Sequence, residues 1–365
     1  MRTKLFALVL LVGPLACDPP PGTTADAGAA TKTTDTKSAA AAVSGAPMAA
    51  KDAGAGDAGM SEEEKKAKEA KELAEDTKEM EAAAKKEAER WDDKLKAEAK
   101  ALSAAKHANV KAAVEAALKG NHRVPGNADR DKYRHPLETL EFFGLKQDMT
   151  VVEYGPGDGW FTEILAPVLA QKGKLLLPVN DPNGPADKRG TMYGKRIKYF
   201  LDKSPDLYGK AESVIVDTMN MDLSAHEGKA DMVILMRGMH GWQNGGQIDK
   251  NLAQTFKVLK PGGIFGVEQH RAKPDAKLEE ASKKGYLPEA WVIEKVEAAG
   301  FKLAAKSEIN ANPKDTKDYP EGVWTLPPTY ELKDKDKDKY TAIGESDRMT
   351  LKFVKAAAAA PAKAK

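Results

Sequence analysis

The sequence predicts an α/β domain, a mostly parallel seven-stranded sheet with helices on both faces, preceded by a long charged helix. Three observations carry this reading. From Thr150 onward, aliphatic and β-branched runs alternate with segments of helical apolar spacing. The first of those runs leads into a glycine triplet and then directly into a helix. No aromatic residue stands between Phe6 and Trp91, so the packed core has to lie later in the chain.

Composition excludes several classes. The 57 Lys+Arg and 55 Asp+Glu of the 365 residues leave a formal charge of +2, which argues against a globally basic nucleic-acid binder, and no nucleic-acid partner is expected. A single cysteine excludes a disulfide scaffold and a Cys-rich zinc site. The six histidines show no ligand spacing, so no metal is expected.

The amino terminus reads as an address. Arg2 and Lys4 precede an apolar run from Leu5 to Val12, too short to span a bilayer and typical of a signal peptide. Leu15, Ala16 and the lone Cys17 follow, and this ending over residues 1–17 resembles a bacterial lipoprotein signal. The resemblance implies lipidation of Cys17, a membrane anchor and an exported, envelope or periplasmic location. Residues 18–60 are Pro, Gly, Ala, Thr, Ser, Asp and Lys without periodicity, a disordered linker.

Ser61 and Glu64 form a capping box that opens a helix. Nothing in the Ala/Glu/Lys-rich stretch to Leu118 breaks it, and Gly120 is the stop, so one charged helix is expected over 61–119. Leu73, Met80, Trp91, Leu95, Leu102, Val110, Val114 and Leu118 keep a narrow stripe. A solvated Ala/Glu/Lys helix held by i,i+4 pairs is one reading of that stripe, and a coiled-coil or partner-binding stalk over 61–118 is the other.

The folded domain is expected over 120–355, with residues 356–365 a disordered tail. Thr150 to Tyr154 is a strand, and Phe161 to Leu169 has helical spacing. Between them lie Glu153, Gly155, Gly157 and Gly159 in an E-x-G-x-G-x-G pattern. Glycines let a ligand approach the backbone, and a helix N-terminus points N–H groups at it. A dinucleotide fingerprint needs a small residue at position 160, where this chain has Trp160. The pattern instead resembles motif I of class I S-adenosylmethionine (SAM)-dependent methyltransferases. That resemblance implies SAM as cofactor, held by Glu153, Gly155, Gly157 and Gly159.

The alternation then continues. Lys174–Val179, Ser213–Val216, Asp231–Met236, Ile264–Glu268, Phe301–Ser307 and Met349–Val354 read as strands. Residues 193–203, Ile248–Leu259 and Leu287–Ala299 read as helices, and Lys260 to Gly263 as a turn. Lys333 to Lys339 alternates Lys and Asp, a solvated loop. Several further segments resemble a bacterial family of class I methyltransferases known from sequence, with members that are often exported. They include His122-Arg123, Arg130 to Leu140, Met239-His240-x-Trp242, Glu268-x-His270-Arg271, Asn310 to Asp315 and Glu345 to Phe353, and the likeness runs from about residue 107 to 355. It implies the strand order 3-2-1-4-5-7-6, an acid on the ribose (Asp181) and an acid near the adenine (Asp222, with Asp217 as the other candidate).

Open α/β sheets bind ligands at the carboxyl ends of their strands. His240, Glu268 and His270 stand there and are the candidate bases for removing a proton from a methyl acceptor. The acceptor is expected to be a small molecule or an envelope component. SAM is made in the cytoplasm, and an exported enzyme lacks an obvious supply. The alternative is therefore a non-catalytic ligand-binding or scaffold lipoprotein on the same fold.

Overall fold

A computed structural model describes residues 61–218 and 220–356. The signal with Cys17, the linker and the tail from residue 357 lie outside the described residues. The strands are β1 (Thr150–Tyr154), β2 (Lys174–Val179), β3 (Ala211–Ile215), β4 (Ala230–Met236), β5 (Leu259–His270), β6 (Phe301–Ser307) and β7 (Arg348–Lys355). The helices are α1 (Glu62–Arg90), α2 (Asp93–Ala104), α3 (Val110–Leu118), α4 (Asp131–Arg134), α5 (Pro136–Phe143), α6 (Thr162–Leu169) and α7 (Arg189–Asp202). Then come α8 (Pro205–Tyr208), α9 (Met239–Asn244), α10 (Ile248–Val258), α11 (Leu278–Lys283), α12 (Glu289–Ala298) and α13 (Lys337–Ile343).

The single charged helix expected over 61–119 is three helices. The Ser61–Glu64 capping box opens α1. Asp92 then caps α2, its Oδ1 accepting from the Leu95 N–H at 2.7 Å, and Asn109 caps α3 through the Ala112 N–H at 2.9 Å. Side-chain oxygens of this kind satisfy N–H groups that a helix start leaves unpaired. The stripe is neither a solvated face nor a partner-binding stalk, because it packs on the protein's own α/β domain. Leu73 and Met80 meet Met192 of α7. Trp91, Leu95 and Val114 enter the main core, with Leu102, Val110 and Leu118 against it. The Trp91 ring stands edge-on to Tyr208, centroids 6.4 Å apart. Replacing Asp92 by Ala is expected to cost about 1 kcal/mol in urea unfolding. In an unbroken helix the same change would stabilise, so the sign decides between the two.

Among the described residues, seven strands form one sheet in the order β3-β2-β1-β4-β5-β7-β6, the order the resemblance implies. β1 to β5 run parallel, and β7 lies antiparallel between β5 and β6. This is the Rossmann-like fold of class I methyltransferases. Alternate strand residues feed opposite faces. Val151, Leu175, Leu177, Met232 and Ile234 join one core with α2, α3, α6 and α7. Val152, Leu176, Val233 and Leu235 join the other with α10 and α12. Lys260 to Gly263 is a bulge rather than a turn, because the pairing jumps from Ala230↔Leu259 to Met232↔Ile264. The Lys333–Lys339 run is a loop only at first, since α13 starts at Lys337 and anchors through buried Tyr340. The chain order reverses beside β1, which β2 and β4 flank, and crevices for ligands open at such a point. Among the described residues, no helix is long and apolar enough to cross a membrane.

Candidate functional site

The glycine loop follows β1 at this reversal. Gly155, Gly157 and Gly159 have φ of 58°, 60° and 81°, in the left-handed region that favours glycine. A side chain at 157 would stand in open space, with its nearest neighbour, the Gly155 carbonyl oxygen, 3.9 Å away. At 159 it would strike the Phe200 ring at 2.4 Å. Position 157 is thus a cradle open to a ligand and position 159 a packing contact. Glu153 is buried beneath, its Oε2 accepting from the Thr162 hydroxyl at 2.8 Å. Burial pushes its carboxyl up to about 8, so it ties β1 to the start of α6 largely as the neutral acid. Ahead of the loop, Arg123 bonds Glu163 of α6 at 2.8 Å, and the Trp160 indole N–H donates to the Asn127 carbonyl at 3.1 Å. The residues His122 to Arg134 are thereby fixed over the loop.

Beside the loop lies a cleft lined by Gly155, Gly157, Asn180, Tyr193, Arg196 and Thr218 among others. The two acids expected there are elsewhere. Asp181 is exposed and its Oδ1 accepts from the Asn183 N–H. Asp222 is exposed and holds the Ser224 N–H. Each starts a turn one or more residues beyond its strand, where a short carboxylate meets nearby backbone N–H groups. Asn180 and Thr218 take the inward positions instead, the Asn180 amide donating to the Thr218 hydroxyl at 3.0 Å. The cleft is shallow and opens to solvent. Arg196 narrows it, its Nη1 3.0 Å from Asp158 Oδ1 on the loop. In kind, the residues fit an adenosyl cofactor: a glycine cradle open above 157 and an amide–hydroxyl pair for hydroxyls and ring nitrogens. Tyr193 and Arg196 of α7, the guanidinium 4.9 Å over the Tyr193 ring, form the far wall of the cleft.

His240 and His270 come together at the carboxyl ends of β4 and β5, ring centroids 5.8 Å apart, with Trp324 edge-on to His240. Both are buried. Burial lowers His240 to about 4 and His270 well below its ordinary value, so both are neutral at pH 7. Gln269 orients His240. Its Oε1 accepts from the Met239 N–H at 3.1 Å, which directs its Nε2 toward His240 Nδ1 at 3.3 Å and the Gly285 carbonyl at 2.9 Å. The His240 proton therefore sits on Nε2, a buried donor without a partner among the described residues. This makes His240 a donor to a ligand rather than a base. His270 Nδ1 lies 2.5 Å from the Ser346 hydroxyl. Glu268 cannot serve as a base. It is fully buried, and its oxygens are taken by Arg237 at 2.9 Å and Arg348 at 2.7 Å.

Sequence reading missed Gln269, Ser346, Asn180, Thr218 and the Asp158–Arg196 pair. Of these, Gln269, Asp158 and Ser346 lie inside the Glu268–Arg271, glycine-loop and Glu345–Phe353 segments, where residue type alone gives them no role. Among the described residues, no group of three or more His, Cys, Asp or Glu side chains could hold a metal ion.

No protein-family model and no curated protein matches the chain. Solved structures do resemble it at low identity. The cyclase SpnF, of the 4+2 type, is 16% identical, covering 62% of this chain and 81% of its own, with a TM-score of 0.42. A SAM-dependent methyltransferase from Aquifex aeolicus is 16% identical over 62% of this chain and 93% of its own, TM-score 0.41. The 1,6-didemethyltoxoflavin-N1-methyltransferase of Burkholderia thailandensis, solved with 1,6-didemethyltoxoflavin and S-adenosylhomocysteine, is 13% identical over 62% and 78%, TM-score 0.38. The case for the fold rests on the strand order itself.

Proposed function

We propose that the protein is a SAM-dependent methyltransferase acting on an oxygen or nitrogen of its acceptor. The observation that carries this is the glycine loop at the sheet's reversal point, with open space over Gly157. Gly155, Gly157 and Gly159 would hold the methionine end of the cofactor through their backbone, and Asn180 with Thr218 the nucleoside edges. Bound there, the cofactor supplies an electrophilic methyl group. The protein's own groups align the acceptor and remove its proton. His240 donates its Nε2–H to an acceptor oxygen. With Nδ1 engaged by Ser346, His270 takes the proton on Nε2. The acceptor is proposed to be a small molecule or envelope component. The lipid anchor on Cys17 and the exported location rest on residues 1–17 alone.

A second reading, a non-catalytic ligand-binding lipoprotein on this fold, is favoured by one observation, the shallow cleft beside Arg196. Calorimetric titration of S-adenosylhomocysteine into the full-length protein in detergent separates the two. Micromolar binding, retained in Arg196→Ala, is expected. A folded, monodisperse protein that releases no heat in either form would sink the methyltransferase reading and favour the second.

A further inference from the structure

The charges beside the two histidines do not balance. Arg130 and Arg134 come from the segment over the glycine loop, Arg237 follows β4, and Arg348 opens β7. Arg134 Nε reaches both Glu345 oxygens at 3.0 Å, Arg130 Nε reaches Glu345 at 3.3 Å, and Arg348 bonds it at 2.6 Å. Glu268 takes Arg237 and the other side of Arg348. Four guanidinium groups thus share two carboxylates, and 4 − 2 leaves an excess of +2 in a mostly buried cluster. Neighbouring acids do not cancel it: Asp158 is paired with Arg196, Asp347 with Arg271 and Lys317, and Glu153 is largely neutral at pH 7.

A network that only braced the fold would be expected to match its charges, because an unpaired buried charge is costly. Two further features suggest a missing anion. Arg130 Nη2 is buried with no hydrogen-bond partner among the described residues. Arg237 holds a left-handed φ of 58°, a strained backbone of the kind that clusters at binding sites. His270 is the cross-strand partner of Arg348, which shares Glu268 with Arg237 and Glu345 with Arg130 and Arg134. The cluster therefore adjoins the proposed base.

We propose that the methyl acceptor carries an oxyanion, a carboxylate or phosphate, which Arg130 and Arg237 take in the forked geometry that guanidinium groups offer. The anion would set the acceptor's nucleophilic atom against His240 and His270. This rests on the methyltransferase reading for the role of the ligand, but not for the existence of the site.

The test is titration of the full-length protein with inorganic phosphate and, separately, acetate, at constant ionic strength with chloride as reference. Thermal stability and calorimetry are the readouts, and S-adenosylhomocysteine is titrated in parallel. Phosphate or acetate is expected to raise Tm beyond chloride. Arg130→Gln should weaken that anion at least tenfold, and Arg130→Lys by less. Binding of S-adenosylhomocysteine should stay within twofold in both variants, which also reports that they are folded. An anion effect no larger than chloride's, or one unchanged in Arg130→Gln, would overturn the anion site and leave the cofactor reading standing. Anion binding through Arg130 without any binding of S-adenosylhomocysteine would overturn the acceptor role together with the methyltransferase reading.

Discussion

Glu345→Gln is expected to destabilise the protein by about 3–5 kcal/mol, the cost of removing one partner from a buried ion network. The substitution keeps the side-chain volume, so little of the loss comes from a cavity. What it removes is the charge that holds three guanidinium groups together. Glu345 is 3% exposed on the turn before β7 and meets Arg130, Arg134 and Arg348 at once. Burial works against its ionisation, yet the arginines outweigh burial and hold the carboxyl far below the usual carboxylate range. A lowered folded-state pKa stabilises above the unfolded value, near 4.5, and that stabilisation is lost as the pH falls below it. The gap between wild type and variant should therefore be widest above pH 5 and narrow below about 4.5. At pH 7 the Tm should fall by on the order of 10 °C. The variant would also raise the cluster's excess charge from +2 to +3, so phosphate should stabilise it more than it stabilises wild type. Equal stability of the two proteins across pH would mean that the cluster does not depend on this carboxylate.

What sequence reading captured and what it lost follow from the range of the interactions involved. The bounds of β1, β2 and β6 match the expected strands residue for residue, because each has a glycine breaker at one end: Gly155 after β1, Gly173 before β2 and Gly300 before β6. The strand order came through the resemblance, since periodicity does not specify neighbours. The break at Asp92 was hidden because an aspartate in an Ala/Glu/Lys-rich run is a cap only if the preceding turn ends, and no Gly or Pro marks that end. Asp222 lies well past the end of β3, in its own turn, and Asp181 just past the end of β2. One residue of register decides which side chain faces inward, and it favoured Asn180. Glu268 has the right chemistry for a base, and its burial with Arg237 and with Arg348, eighty positions along the chain, removes it from that role. His240 and His270 are legible as neighbours because His270 ends β5 and His240 follows the adjacent parallel strand β4 within one short turn. The tautomer of His240 is not, since it depends on how Gln269 is itself held.

The glycine loop yields the other large effect, and the paired substitutions separate its two roles. Gly159→Ala is expected to cost about 2–4 kcal/mol, combining about 1 kcal/mol for a left-handed alanine with 1–3 kcal/mol for overpacking. The new methyl would lie 2.4 Å from the Phe200 ring. That ring is hemmed in by Tyr208, centroids 4.8 Å apart, and by the Lys203 ammonium 3.9 Å from its centroid, so it has little room to retreat. Gly157→Ala carries only the conformational part, about 1 kcal/mol, because nothing stands closer than 3.9 Å to its added atom. Urea unfolding should rank them accordingly. Binding of S-adenosylhomocysteine should separate the two roles further: Gly157→Ala, still well folded, fills the cradle and should weaken binding at least tenfold. If Gly157→Ala binds as wild type does, the ligand does not pass over position 157. The glycine would then serve only the turn, and the open space above the loop would lose its claim to be the cofactor site.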